Sequence, residues 1–376
     1  MSNNTTTELT GWKKYCKEQN IEFSVQRILI DGLGGMAHGL FASLLIGTIF
    51  STIGVYLFDF HYSVWGQEFA LLVDSKTFAY AVQGAAMAGA IAYSMKAPPY
   101  VIYSCLAVGY ATNSLGGAGG PLAVFFVTII AVFLGKLVSK RTPVDLLVTP
   151  TVTIVGGVLI ATLIAPPIGA AASWLGNIIM WATNQQPFLM GILVAAIMGI
   201  VLTLPISSAA ICAALGLVGL AGGAAVAGCC AHMVGFAVAS YRENGVNGLT
   251  AQGLGTSMLQ VPNLIRKPIL WMPAVVASVI SGPIATCIFK LKMNGAAISS
   301  GMGTCGLVGP IGVITGWLSP SEAAVAQGEA AYTAGAFDWI GLVLVAIVIP
   351  AVVAWLTSEF MRKKGMIKEN DYKLDL

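Results

Sequence analysis

Asn113–Phe126 reads NSLGGAGGPLAVFF, four glycines and a proline in a stretch without a charged side chain. In a soluble protein this composition marks an exposed turn. Here the flanks are apolar for many residues on either side, so the turn residues sit where the surroundings belong in hydrocarbon. Between Lys96 and Lys136 there is no Asp, Glu, Lys or Arg; the same holds between Asp145 and Arg242, and from Met293 to Ser321. Of 376 residues, 57% are hydrophobic and only 9% charged, against roughly 25% charged in a soluble domain. At about 20 residues per crossing, the longest desert alone supplies several passages. The chain therefore reads as an all-α, polytopic membrane protein.

The start, MSNNTTTELTGWKKYCKEQN, is polar and lacks the apolar core of a cleavable signal. Over residues 8–30, Trp12, Tyr15, Cys16, Ile21, Phe23 and Val25 alternate loosely with Lys13, Lys14, Lys17 and Arg27. That pattern predicts a helix lying in the interface. Residues 1–30 are thus expected as an interfacial segment, 31–361 as the membrane domain and 362–376 as a tail. Candidate spans are 32–58, 77–95, the segment after Pro121, then 147–165, 188–203, 209–222, 224–240, 269–289 and 339–356. With the stretch before Asn113 these make about ten. The loop KLVSKRTPVD and the tail RKKGMIKENDYKLDL are the basic clusters, which puts the N-terminus, this loop and the C-terminus on the cytoplasmic side.

Cys16, Cys105, Cys212, Cys229, Cys230, Cys287 and Cys305 show no CxxC spacing, and six lie in apolar surroundings. They read as small hydrophobes rather than as metal ligands or disulfides. A net charge of +3 is too small to indicate nucleic acid. No cofactor is indicated either.

Non-helical backbone at membrane depth survives only when buried in protein or lining a wet cavity. Transporters use broken helices in this way, aiming freed backbone groups at a substrate. Close helix packing explains single glycines equally well. Four places, however, combine glycine or proline with hydroxyls and amides: NSLGGAGGP, LTLPISSAAI, GLGTSMLQVPN and SSGMGTCGLVGP. They offer Asn113, Ser114, Ser207, Ser208, Ser257, Gln260, Asn263, Ser299, Ser300 and Thr304. This uncharged set suits a hydroxyl-rich solute such as a sugar and does not suit a cation path, which shows intramembrane carboxylates. His232, in GCCAHMVGFA, is the one deeply placed histidine and joins the candidates, either lining a cavity or bonding a nearby carbonyl. Asp31 and His38 flank GLGGMA at the start of the first span.

The ordered set of motifs resembles the membrane (IIC) subunit of the bacterial phosphoenolpyruvate-dependent sugar phosphotransferase system, of the fructose-like type, over Pro98–Gly316. The carriers are SLGGAGGPLAVFFVTIIAVFLGKLVSK, LLVTPTVTIVGGVLIATLIAPPIGAAASWL, GILVAAIMGIVLTLPISSAAICAALG, GLGTSMLQVPNLIRKPILWMPAVVASVISGP and GTCGLVGPIGVI. The overall look is closest to a stand-alone, regulator-type branch that includes a toxin regulator. The resemblance implies a homodimer with re-entrant hairpins, inward carriage of sugar by rigid-body movement, and a separate cytoplasmic IIB partner that phosphorylates it. Three departures stand out. The stretch that resembles the family's glutamate-bearing hairpin has none, with Gln260 the nearest polar residue. The second hairpin, GTCGLVGP, lacks a histidine, and His232 falls where the family has a small residue. With no IIA or IIB domain attached, the chain is expected to be a permease or a sensor rather than an enzyme.

Overall fold

The computed structural model describes residues 11–40, 42, 43, 46 and 81–374. The expected first span, the polar loop DFHYSVWGQE and the start of the second span lie mostly outside these residues. Among the described residues the architecture is helical, and the single bridge of strand type joins Gly219 to Met293.

The expected N-terminal helix is two pieces. Helix α1 (Gly11–Glu18) ends before Asn20, whose φ of 50° breaks it. A π-turn over Gln26–Asp31 then runs into α2 (Gly32–Leu40). Lys136 locks this region. It is buried, and its Nζ donates to the carbonyls of Asn20 at 2.8 Å and Met95 at 2.7 Å. Two helix ends with free carbonyls thus share one ammonium, the residue type that complements such ends.

The glycine run that opened the sequence joins α4 (Pro99–Gly116) to α5 (Gly120–Val138). Length and hydropathy mark Pro99–Val138 as one 40-residue apolar stretch. It is a hairpin, because Gly117 adopts φ 50°, ψ −125°, a region open to glycine and closed to L side chains. The far ends meet: a Cβ on Gly135 would touch Val101.

Beside the hairpin runs α6 (Asp145–Thr183), 39 residues or about 58 Å at 1.5 Å per residue. That exceeds the roughly 30 Å hydrocarbon core, so one helix serves two bundles. Thr149, Thr153, Gly157, Ala161 and Ala165 form a buried stripe at i, i+4 spacing that faces α4 and α5. Beyond Pro166 and Pro167 the buried residues are Ala172, Gly176, Ile179 and Ala182, and the last two join the core of the second bundle. Leu159, Leu163, Trp174 and Trp181 are exposed and suit a lipid-facing side.

The first bundle is α2, α3 (Gln83–Ser94), α4, α5 and the first half of α6. Its core contains Met36, Met87, Ile91, Val108 and Val127. The second packs α7 (Pro187–Thr203), α9 (Gly219–Ala239), α12 (Met272–Pro283) and α16 (Ile349–Lys363) against one another. The expected span over 209–222 is instead a short helix, α8 (Ser208–Leu215), followed by a break. Gly216, left-handed at φ 56°, ends it, and Gly219 at φ 65° redirects the chain into α9.

Further on come α10 (Tyr241–Thr250), a π-turn at Ala251–Gly255, a 3₁₀ turn at Ser257–Gln260 and α11 (Val261–Arg266). The chain closes through α13 (Val308–Leu318), α14 (Glu322–Ala326), α15 (Ala336–Val343) and α16. Five helical stretches among the described residues are long and apolar enough to cross a membrane.

Candidate functional site

The four glycine- and proline-broken motifs meet. The N–H of Ser207 donates to the Ala118 carbonyl at 3.0 Å, tying LTLPISS to the α4–α5 turn. The Ser208 hydroxyl donates to the Gly301 carbonyl at 2.6 Å, reaching SSGMGTC. Thr203 Oγ1 lies 2.9 Å from Ser257 Oγ, reaching GLGTSM. Buried carbonyls and amides freed by broken helices must find such partners, and here each motif supplies them to another.

All four line one cavity. Pro121 comes from the first, Leu202, Ile206, Ser207 and Ser208 from the second, Gly255, Thr256 and Met258 from the third, Met302 and Cys305 from the fourth. Leu40, Gln83, Ala209 and Met233 complete a wall without a charged residue. Its volume is about 50 Å³, room for a few waters; small-molecule sites run to about 300 Å³ or more.

Behind this wall lies a buried polar chain. Thr203 Oγ1 is 3.1 Å from the Gly199 carbonyl and 3.0 Å from His232 Nδ1, besides its contact with Ser257. A threonine has one proton to give and two lone pairs. Gly199's carbonyl accepts only, so it takes that proton. Nδ1–H of His232 and the Ser257 hydroxyl then both donate to Thr203. His232 Nε2 has no hydrogen-bond partner. Its ring lies over Gly199, where a Cβ would sit 2.8 Å from Nε2, and beside Phe236 and Trp271 at centroid distances of 5.8 and 5.9 Å.

The eleven candidates divide into groups. Ser299 and Ser300 are buried, and the Ser300 hydroxyl donates to the Leu217 carbonyl at 2.6 Å. Ser207 and Ser208 line the cavity, and Ser207 also caps α8 through Ala210 N. Ser257 and His232 stand in the polar chain behind it. Thr304 is buried with an unpaired hydroxyl. Asn113 packs its side chain against Gly84 and Gly120 at the α4–α5 turn, with Oδ1 unpaired. Ser114 is exposed and bonds the Tyr110 carbonyl of its own helix at 3.0 Å. Gln260 and Asn263 face the C-terminal tail: Gln260 Nε2 donates to the Tyr372 carbonyl at 3.1 Å, and Asn263 Nδ2 to Gln260 Oε1 and to the Lys373 carbonyl, both at 2.9 Å.

Sequence reading passed over Thr203, Thr256 and Gln83. Thr203 stands two residues before Pro205, where the break frees a helix end. That was a readable signal. Gln83 opens an otherwise apolar helix, QGAAMAGAIAYS, and was readable as the lone amide there. A second, larger cleft of about 410 Å³ opens beside the tail, lined by Asp31, His38, Ser94, Asn263, Arg266 and Lys373 among others.

A family model described as Phosphotransferase system, EIIC matches residues 30–374. A search of curated proteins finds no match. The match spans both bundles, all four broken motifs and the tail that packs on them. This multi-pass membrane chain belongs to the phosphotransferase system EIIC family, whose role is sugar-related transport across the membrane.

Proposed function

We propose that the chain is a IIC-type permease that binds and moves a neutral, hydroxyl-rich solute, a sugar or sugar-like compound, by alternating access. The observation that carries this reading is the cavity with its uncharged wall, built by four broken segments hydrogen-bonded to one another. Ser207, Ser208 and Thr256 are placed to meet solute hydroxyls. Ser257 and His232 hold the wall from behind, and Asn113 and Thr304 bring unpaired polar atoms to the same region.

In this reading the protein is a homodimer of the bacterial cytoplasmic membrane, fructose-like in type and near the regulator-type branch. Each subunit has about ten crossings, re-entrant segments among them. Residues 1–30 and 362–376 lie at the cytoplasmic face, where a separate IIB protein reaches the solute. The test is uptake of radiolabelled hexoses and hexitols into proteoliposomes. Ser208→Ala and His232→Ala are expected to cut the rate, and the permease reading fails if no compound in the panel moves.

A second reading is a membrane sensor that keeps a ligand pocket without coupled phosphorylation. It is favoured by Gln260 and Asn263, which are engaged with the chain's own tail. Deleting the gene would then change transcription elsewhere without altering growth on any sugar.

A further inference from the structure

The segment 251–266 has two faces. Gly255, Thr256 and Met258 line the cavity, and Met258, Leu259 and Val261 pack into the core of the first bundle. On the other side Gln260 and Asn263 grip the C-terminal tail. The tail is gripped a second time, by Asn244 of α10. Its Nδ2 donates to the Tyr372 carbonyl and its Oδ1 accepts from the Leu374 N–H, both at 2.8 Å. Three side-chain amides thus hold the main chain of residues 372–374. Tyr372 is the anchor: fully buried, it donates its hydroxyl to the Leu270 carbonyl at 2.7 Å. Its ring stands 6.4 Å from that of Phe236, the neighbour of His232. Lys267 adds an ion pair to Asp371 at 2.6 Å.

The cavity, at about 50 Å³, is smaller than sites that hold small molecules, so admitting a solute requires one wall to move. Pro121, Ala209 and Met233 belong to helices α5, α8 and α9. Leu40, Gln83 and Leu202 are helical as well, Ile206 and Ser207 lie in the break before α8, and Met302 and Cys305 in the turns before α13. Gly255, Thr256 and Met258 sit on a π-turn and a single 3₁₀ turn, short elements with poor hydrogen-bond geometry. What backs them is the tail. We infer that residues 368–374 are a strap that gates the cavity: docked, it clamps segment 251–266 closed, and undocked, it lets that wall move and frees the Gln260 and Asn263 amides for solute hydroxyls. Bonds between neutral amides are individually weak, which suits a contact that must break and re-form. The inference rests on the pocket and topology given under Proposed function, but its test needs no transported solute.

The test uses the full-length chain in inside-out vesicles, with Cys16, Cys287 and the cavity-lining Cys305 replaced by Ser and a reporter Thr256→Cys. Alkylation of the reporter by a maleimide reads access to the cavity, and tryptic cleavage after Lys373 reads strap docking. Asn244→Ala touches the tail without altering the cavity wall. It is expected to raise both rates about tenfold, the scale of losing one or two hydrogen bonds. Tyr372→Phe, which keeps the ring and loses one hydroxyl, gives a smaller rise in the same direction and serves if Asn244→Ala misfolds. The gate is overturned if tail cleavage accelerates while alkylation stays constant, or if the reporter reacts at full speed with the strap docked. Should alkylation respond as expected while proteoliposomes move no sugar, the strap stands and the permease reading falls.

Discussion

Thr203 has one proton and three neighbours within hydrogen-bond distance: the Gly199 carbonyl, His232 Nδ1 and Ser257 Oγ. It was not among the residues picked from sequence, whereas the two donors it satisfies were. Residue type and apolar context identify groups that need partners, but they do not give the direction of a side chain. Thr203→Val keeps the shape and strands two donors in a buried site. It is expected to lower stability by about 1–3 kcal/mol, measured by thermal unfolding in detergent, while Thr203→Ser retains the hub and stays near the parent. Ser114 gives the opposite result. It is exposed and bonds its own helix, so Ser114→Ala is expected to leave stability within about 0.5 kcal/mol and proteoliposome uptake unchanged. The same limit of sequence reading separates Ser207 and Ser208, in the wall, from Gln260 and Asn263, under the tail. All four stand beside a break, and only the fold decides which way each break faces.

Between elements, the broken segments are where sequence was most informative and hydropathy least. Runs without charge place the chain in a membrane, and glycine or proline marks each of the four places that meet at the cavity. Their shapes were less readable. Pro99–Val138 is uniformly apolar, and only the backbone at Gly117 makes it a hairpin. Conversely, Pro166 and Pro167 suggested an end that α6 ignores, because a membrane helix tolerates proline where its neighbours re-satisfy the freed carbonyls. The expected span over 209–222 failed because hydropathy averages across the turn at Gly216. The two glycines make distinct demands. Gly117 at φ 50°, ψ −125° lies outside the left-handed helical region that asparagine enters, while Gly216 at φ 56°, ψ 40° lies inside it. A Cβ at either position meets nothing within 4 Å, so backbone strain alone separates them. Gly117→Asn is expected to cost about 1–3 kcal/mol, and Gly216→Asn well under 1 kcal/mol. Denaturation midpoints of the two variants in one detergent compare them directly.

Across the whole molecule, charge is scarce and unevenly placed. Arg362 pairs with Glu243 and Lys267 with Asp371, and both pairs lie at the tail beside Tyr372. Docking of the tail therefore carries a pH dependence that the uncharged cavity lacks. Burial raises the Asp371 carboxyl, but hydrogen bonds from Lys267 and the Lys368 N–H, with the charges of both lysines, outweigh it and hold the group below its ordinary range. A depressed carboxyl stabilises fully above its unfolded pKa, and that contribution is lost as pH falls through the folded value. Tyr372 behaves in the opposite sense. Burial raises its phenol; Arg362 opposes this, and Glu243 and Asp371 add to it. A raised phenol stabilises fully below its unfolded pKa, and the contribution fades as pH rises toward the folded value. The docked tail thus has a window bounded by about pH 4 and about pH 10, the ordinary values of the two groups. Thermal unfolding across pH checks both edges. The gap between the parent and Asp371→Asn is expected to be constant above about pH 5 and to close at lower pH. On the alkaline side the parent is expected to weaken above about pH 10, and Tyr372→Phe, which lacks that phenol, to weaken less. A parallel pH response in parent and both variants would place the titrating groups elsewhere and remove the tail from the acid–base behaviour of the protein.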